Sequence, residues 1–103
     1  MKKIINGKLY DTETAERIYE LTHMGASGFG EFEQQILYRK DNGEFFYNCI
    51  GNTWDFEEYI VLENGTMLDA IIIPTSIECA KAWCEKNLMD ADRYIEVFGM
   101  PEE

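Results

Sequence analysis

The sequence predicts an α+β fold: an antiparallel sheet built from three Asn-Gly hairpins, with about three helices packed on one face. Three observations carry that expectation. Asn-Gly occurs at Asn6-Gly7, Asn42-Gly43 and Asn64-Gly65, each between strand-like residues. The pair tolerates the positive φ angles of a tight turn and is the strongest short-range hairpin signal. Helix-start residues precede apolar residues at helical spacing after Asp11, after Pro74 and at Asp90. The chain has 103 residues, of which 46% are hydrophobic and 14% aromatic. That is enough for one core and too little for two, so residues 1–103 are read as a single domain.

The elements follow in chain order. The first turn pairs Ile4-Ile5 with Lys8-Leu9. Asp11 or Thr12 is then read as the cap of a helix running to about Met24, with Ala15, Ile18, Tyr19 and Thr22 on one face and Gly25 ending it. The second turn joins Ile36 through Lys40 to Glu44 through Tyr47. A two-residue loop would place Asp41 opposite Glu44, whereas a three-residue loop places Lys40 there, and cross-strand charge favours the latter. The third turn joins Tyr59 through Leu62 to Met67 through Ile73, and Pro74 ends that hairpin. Thr75-Ser76-Ile77-Glu78 reads as a capping box opening a helix with Ile77, Ala80, Cys84 and Leu88 as its apolar stripe. Lys81 and Glu85 form an i,i+4 pair on its wet side. A last helix starts near Asp90, buries Tyr94, Val97 and Phe98, and stops at Gly99.

Little in the sequence points to catalysis. The one histidine, His23, falls at the end of the first expected helix, where a surface or C-cap role suffices. Cys79 and Cys84 lie about 140° apart around a helix axis, and Cys49, Cys79, Cys84 and His23 show no zinc spacing. Three cysteines is an odd number with no Cys-x-x-Cys pair, which suits a reducing compartment. Gly25 through Gly30 is glycine-rich but follows a helix signal and lacks the Lys-Ser or Lys-Thr of a phosphate loop. Asp90-x-Asp92 resembles the start of a calcium loop without its glycine or distal Glu, and reads as helix capping. No signal-peptide core or membrane-length apolar run is seen, so a cytoplasmic location is expected. The reading is a non-enzymatic protein with no cofactor and no metal.

Charge is more informative. Asp plus Glu is 20 against 9 Lys plus Arg, a net charge of −11. Such a chain does not bind nucleic acid directly or sit on an anionic membrane, since both require basic residues. Residues 41–80 hold eight acids and no Lys or Arg. Asp55, Glu57, Glu58, Glu63 and Asp69 are the leading candidates for a partner-binding surface, with Glu31, Glu33, Asp41 and Glu44 behind them and Trp54 as an aromatic anchor. Carboxylates at such intervals mimic a phosphate backbone and suit a basic groove. The alternative is a solvated acidic face over a sheet whose aromatics point inward.

Three blocks carry a resemblance. Lys3 through Glu16 is the first and Leu37 through Phe46 the second. The third comprises Ile72 through Ser76, Ala80 through Trp83 and Tyr94 through Gly99. Together they resemble a family of small acidic proteins found on phages and mobile elements of gut Firmicutes and relatives. Some members are anti-CRISPR proteins acting on type II, RNA-guided nucleases. After the central hairpin the family tends toward a glycine-rich stretch, whereas this chain runs Asn48 through Asp55 with a single glycine, Gly51. The resemblance implies an inhibitor, in the cytoplasm of a bacterial host, that blocks target DNA binding or cleavage by DNA mimicry. The other reading is a small acidic interaction module of a mobile element that binds a different basic host or defence protein. Exposed strand edges could also pair two copies into a homodimer.

Overall fold

The computed structural model describes residues 1–24, 32–51, 59–61 and 67–102. Asn6 and Gly7 take φ values of 52° and 76°. The chain therefore reverses in two residues, and Lys2–Ile5 (β1) pairs antiparallel with Lys8–Asp11 (β2). This ribbon stands apart from the main sheet. That sheet comprises Glu16–Met24 (β3), Phe32–Arg39 (β4), Phe45–Gly51 (β5), Tyr59–Val61 (β6) and Met67–Thr75 (β7). Their order is β3-β4-β5-β7-β6, with every neighbouring pair antiparallel. Ile77–Lys86 (α1) and Ala91–Phe98 (α2) follow.

Both faces of the sheet are covered. On one, Ile36, Tyr38, Phe46, Ile50, Ala70 and Ile72 pack with Tyr10 of the ribbon. On the other, Ile18, Leu37 and Phe45 pack with Ala80 and Cys84 of α1 and Val97 of α2. Alternation within the strands assigns the faces: Ile36 and Tyr38 to the ribbon side, Leu37 between them to the helix side. Phe46 is fully buried, with the Tyr38 ring stacked on it at 5.2 Å and the Tyr10 ring edge-on at 5.4 Å. Burying one such side chain contributes about 2–3 kcal/mol.

The sequence expectations need three corrections. The helix expected from Asp11 to Met24 is absent: residues 16–24 are strand β3. The turn signal was real, since the Asp11 carboxylate accepts from the Glu13 N–H at 2.9 Å and its carbonyl from the Ala15 N–H at 3.1 Å. Thr12, however, bonds to Met1 instead of capping a helix. The register shifts between Arg17 and Tyr19, and this bulge lets both Ile18 and Tyr19 pack on the helix side. Two adjacent apolar residues on one face imitate a helical stripe. Thus two helices are described, where about three were expected.

The second correction concerns α1. Thr75 is still strand, paired with Phe45, so the cap moves to Ser76, whose hydroxyl accepts from the Cys79 N–H at 3.1 Å. Of the expected stripe only Ala80 and Cys84 are buried, while Ile77 and Leu88 are exposed. Trp83 takes their place, its ring edge-on to Tyr19 and Tyr47 at 5.8 and 5.2 Å. Third, the Asn-Gly hairpins do not form one sheet. The first is the separate ribbon. The second is the three-residue loop Asp41-Asn42-Gly43, with the Lys40 N–H donating to the Glu44 carbonyl at 2.8 Å. The third, Asn64-Gly65, lies outside the described residues, although β6 and β7 pair antiparallel.

Pro74 is tolerated inside β7 because β6 pairs only with Met67 through Asp69, leaving one edge of β7 unpaired among the described residues at that level. Two arginines tie α2 to the sheet. Arg39 donates to the Val97 carbonyl at 2.8 Å. Arg93 donates to the carbonyls of Arg17 and Ile18, beside the bulge.

α1 ends in a Schellman motif. The Leu88 N–H donates to the Glu85 carbonyl and the Met89 N–H to the Cys84 carbonyl. Leu88 therefore takes φ 59°, a conformation glycine adopts freely and leucine does not, and its side chain is 87% exposed. Leu88→Gly is expected to raise stability by about 1 kcal/mol, read as an upward shift of the urea midpoint at unchanged slope. A lower midpoint would mean that the Leu88 side chain contributes packing.

Candidate functional site

The five strands align one row of residues near one end of the sheet. His23 pairs with Glu33, Glu33 with Gly51, Gly51 with Asp69, and Asp69 with Tyr59. Glu33 and Asp69 thus flank a glycine on adjacent strands. The chain leaves the described strands at this end after Met24, Gly51 and Val61, and re-enters at Phe32, Tyr59 and Met67. The connecting residues 25–31, 52–58 and 62–66 contain Glu31, Asp55, Glu57, Glu58 and Glu63 and no Lys or Arg. Those five residues and Trp54 lie outside the described residues. Of the leading candidates only Asp69 is placed, on β7, and of the second group Glu33 is placed on β4.

Asp41 and Glu44 belong to the opposite end of the sheet, in and beside the β4–β5 turn. The structure therefore does not bring them together with Glu33 and Asp69. Basic residues share that end with them: Arg17 pairs with Tyr38, Arg39 with Phe45 and with Glu16, and Lys40 is next along the chain. Lys and Arg are thus unevenly distributed along the strands: Glu33 and Asp69 lie near the end whose connections contain none, and Arg17, Arg39 and Lys40 lie at the other.

Glu44 is not a free carboxylate. It accepts from Lys8 Nζ at 2.7 Å, from Asn42 Nδ2 at 2.8 Å and from Lys40 Nζ at 3.3 Å. Lys8 belongs to the ribbon, so this cluster joins ribbon and sheet. Lys40 also lies 3.7 Å from the centre of the Tyr10 ring. The three hydrogen bonds, from Lys8 first and then Asn42 and Lys40, hold the Glu44 carboxyl down at about 2. The same bond pushes the Lys8 ammonium up. Two surface clefts of about 500 and 510 Å³ flank the pair, each lined by Lys8 and Glu44. Their cations already have a partner, so neither cleft offers an open anion site. The Lys8–Glu44 pair, 36 residues apart, has no signal in the sequence.

Burial pushes the thiols of Cys49 and Cys84 up to about 11, while Cys79 is exposed. Among the described residues no group of three His, Cys, Asp or Glu could hold a metal ion. No helix among them is long and apolar enough to cross a membrane. Comparison with protein-family models, with curated proteins and with solved structures found no match.

Two outcomes follow. The folded pKa of Glu44 lies below the ordinary 4.5, so its stabilising contribution is complete above that pH and is lost as pH falls toward about 2. Glu44→Gln is expected to flatten the stability–pH curve across that window, read by thermal unfolding at a series of pH values. With a thiol reagent at neutral pH, the folded protein should label once, at Cys79, and three times after unfolding. Rapid native labelling of Cys84 would contradict the packing of α1.

Proposed function

We propose that this protein is a non-enzymatic inhibitor of a CRISPR–Cas effector, a type II nuclease, which it binds through its acid-rich end. The observation that carries the reading is the uneven distribution of Lys and Arg along the strands. Three of the four connections within the main sheet, β3–β4, β5–β6 and β6–β7, lack Lys and Arg and join strands at one end, and Glu33 and Asp69 lie on those strands. The resemblance of the terminal and central blocks to anti-CRISPR proteins supports the target class.

The mechanism follows from the chemistry of the target. Guide-loaded effectors hold nucleic acid in a positively charged channel and read a short duplex motif through Arg or Lys. Asp55, Glu57, Glu58, Glu63 and Asp69, with Glu31 and Glu33, offer carboxylates where the DNA would offer phosphates, and Trp54 is the anchor that excludes water. The occupied channel does not admit target DNA. Asp41 and Glu44, at the far end and in part committed to Lys8 and Lys40, are not needed for this surface.

The test is a target-cleavage assay with purified guide-loaded type II nuclease at low and at moderate salt. Inhibition should approach equal stoichiometry and weaken as salt rises. Changing Glu57 and Glu58 together to Lys should raise the inhibitor concentration needed by about tenfold or more, with no change in thermal unfolding. Full cleavage at large excess would remove this target. Inhibition indifferent to salt and to both reversals would remove the electrostatic mechanism.

A further inference from the structure

A second feature lies on the helical layer, away from the strand ends. A cleft of about 230 Å³ is lined by Glu85 of α1, Met89 of the connection, Ala91, Tyr94 and Ile95 of α2, and Pro101. It is too small for a drug-sized ligand, which occupies about 300 Å³ or more, and suits a single side chain. Most of its wall is apolar. Leu88 and Met100, the chain neighbours of Met89 and Pro101, are exposed.

Two polar groups in the wall lack partners among the described residues. Glu85 is exposed, and among the described residues no Lys or Arg pairs with it; the i,i+4 pair with Lys81 that the sequence suggests is not formed. The nearest turn of α2 behaves otherwise, since Arg93 there is bonded to Glu96 and to β3. The Tyr94 hydroxyl likewise has no hydrogen-bond partner among the described residues, although its ring is fixed against Phe98 at 4.9 Å. Partial burial, and then the charge of Glu85, push the Tyr94 phenol up, which places the carboxylate and the ring in one electrostatic neighbourhood.

An apolar slot, an aromatic ring and one uncompensated carboxylate select for an amphipathic cation. We propose that this cleft is a subsite for one arginine side chain of a basic protein partner. The aliphatic stem would lie along Met89, Ile95 and Pro101, and the guanidinium would meet Glu85 and the Tyr94 ring and hydroxyl. Arginine fits better than lysine because its planar head stacks on a ring and is more weakly hydrated. The choice of a basic protein rests on the function proposed above and on the net charge of −11, which repels acidic partners. The subsite gives that partner a contact on the helices, separate from the acidic end of the sheet.

The experiment titrates the full-length, isotope-labelled protein with N-acetyl-arginine amide, and in parallel with the citrulline and norleucine amides. The arginine probe should shift the Met89, Ala91 and Ile95 methyl signals and the Tyr94 ring saturably. Citrulline, which keeps the shape and loses the charge, should bind about fivefold more weakly. Glu85→Gln should abolish that difference and leave thermal unfolding unchanged, because Glu85 is exposed. Equal binding of all three probes would overturn the assignment in favour of an apolar slot, and no shift at these residues would remove the site. In the nuclease assay, Glu85→Arg should raise the inhibitor concentration needed by about tenfold; an unchanged value would overturn the role in partner binding. If wild type does not inhibit the nuclease, the function proposed above fails, and the arginine titration still decides the subsite by itself.

Discussion

Strand β5 has almost no wet face. Every residue from Phe45 through Gly51 except Tyr47 is buried, and Phe45, Phe46 and Ile50 are shared between the two core clusters. A strand of this kind requires a layer on each side, and the rest of the chain supplies them. The N-terminal ribbon brings Tyr10 to one face, and α1 and α2 bring Ala80, Cys84 and Val97 to the other. The ribbon has only four residues per strand, and an isolated two-stranded hairpin is marginal in water. It persists here because it buries Tyr10 and because Lys8 reaches Glu44. The polar exception in β5 is Asn48, paired in register with Ile36 and Ile72, whose buried Oδ1 has no partner among the described residues. An unmet acceptor of this sort costs about 1–3 kcal/mol, so the apolar core must outweigh it.

The parts of this architecture visible in the sequence were those governed by local chemistry. Asn6-Gly7 takes two positive φ values, Asp90 caps α2 through the Arg93 N–H, and Gly99 ends it at φ 88°. Each of these depends on residues within one turn of itself. The second hairpin register was also legible, because the choice between Asp41 and Lys40 opposite Glu44 is a local charge comparison. What stayed hidden depends on distant partners. Strand β3 carries a helix-like spacing of Ile18 and Tyr19, and only the bulge, stabilised by Arg93 from far along the chain, explains why a strand can bury both. Thr75 could not be told from Ser76 as a cap without knowing how far β7 runs against β5. For the candidate site, composition revealed the acid-only stretch, but only the strand pairing separates Glu33 and Asp69 from Asp41 and Glu44.

That separation bears on how an acidic protein of this size can fold and still present charge. Twenty acidic residues in so small a chain repel one another, and self-repulsion destabilises the compact state. Several of its cations are committed to carboxylates within the fold. Lys8 and Lys40 share Glu44, and Arg39 bonds to Glu16 at 2.7 Å. Arg39 and Arg93 also serve backbone carbonyls, joining electrostatic relief to the docking of α2. The consequence is asymmetry. Lys8, Lys40, Arg39 and Arg93 are committed to these contacts, whereas the connecting residues 25–31, 52–58 and 62–66 contain no Lys or Arg.

The field of a net negative charge acts at a distance, and it governs encounter more than residence. Long-range attraction between complementary patches raises association rates and is screened over about 10 Å at 0.1 M salt, whereas differences in affinity between related complexes lie mostly in dissociation. An inhibitor that must hold a channel against DNA, itself a dense polyanion, gains little from charge alone, because its competitor has more of it. Slow dissociation calls for short-range contacts that DNA cannot make: apolar area, an aromatic face, a carboxylate at a defined position. The α1–α2 cleft offers those features in one place, with Met89, Ile95 and Pro101 beside Tyr94 and Glu85. In the proposed reading, net negative charge and an amphipathic slot on the helices are therefore complementary properties, the first favouring encounter with a basic partner and the second its retention.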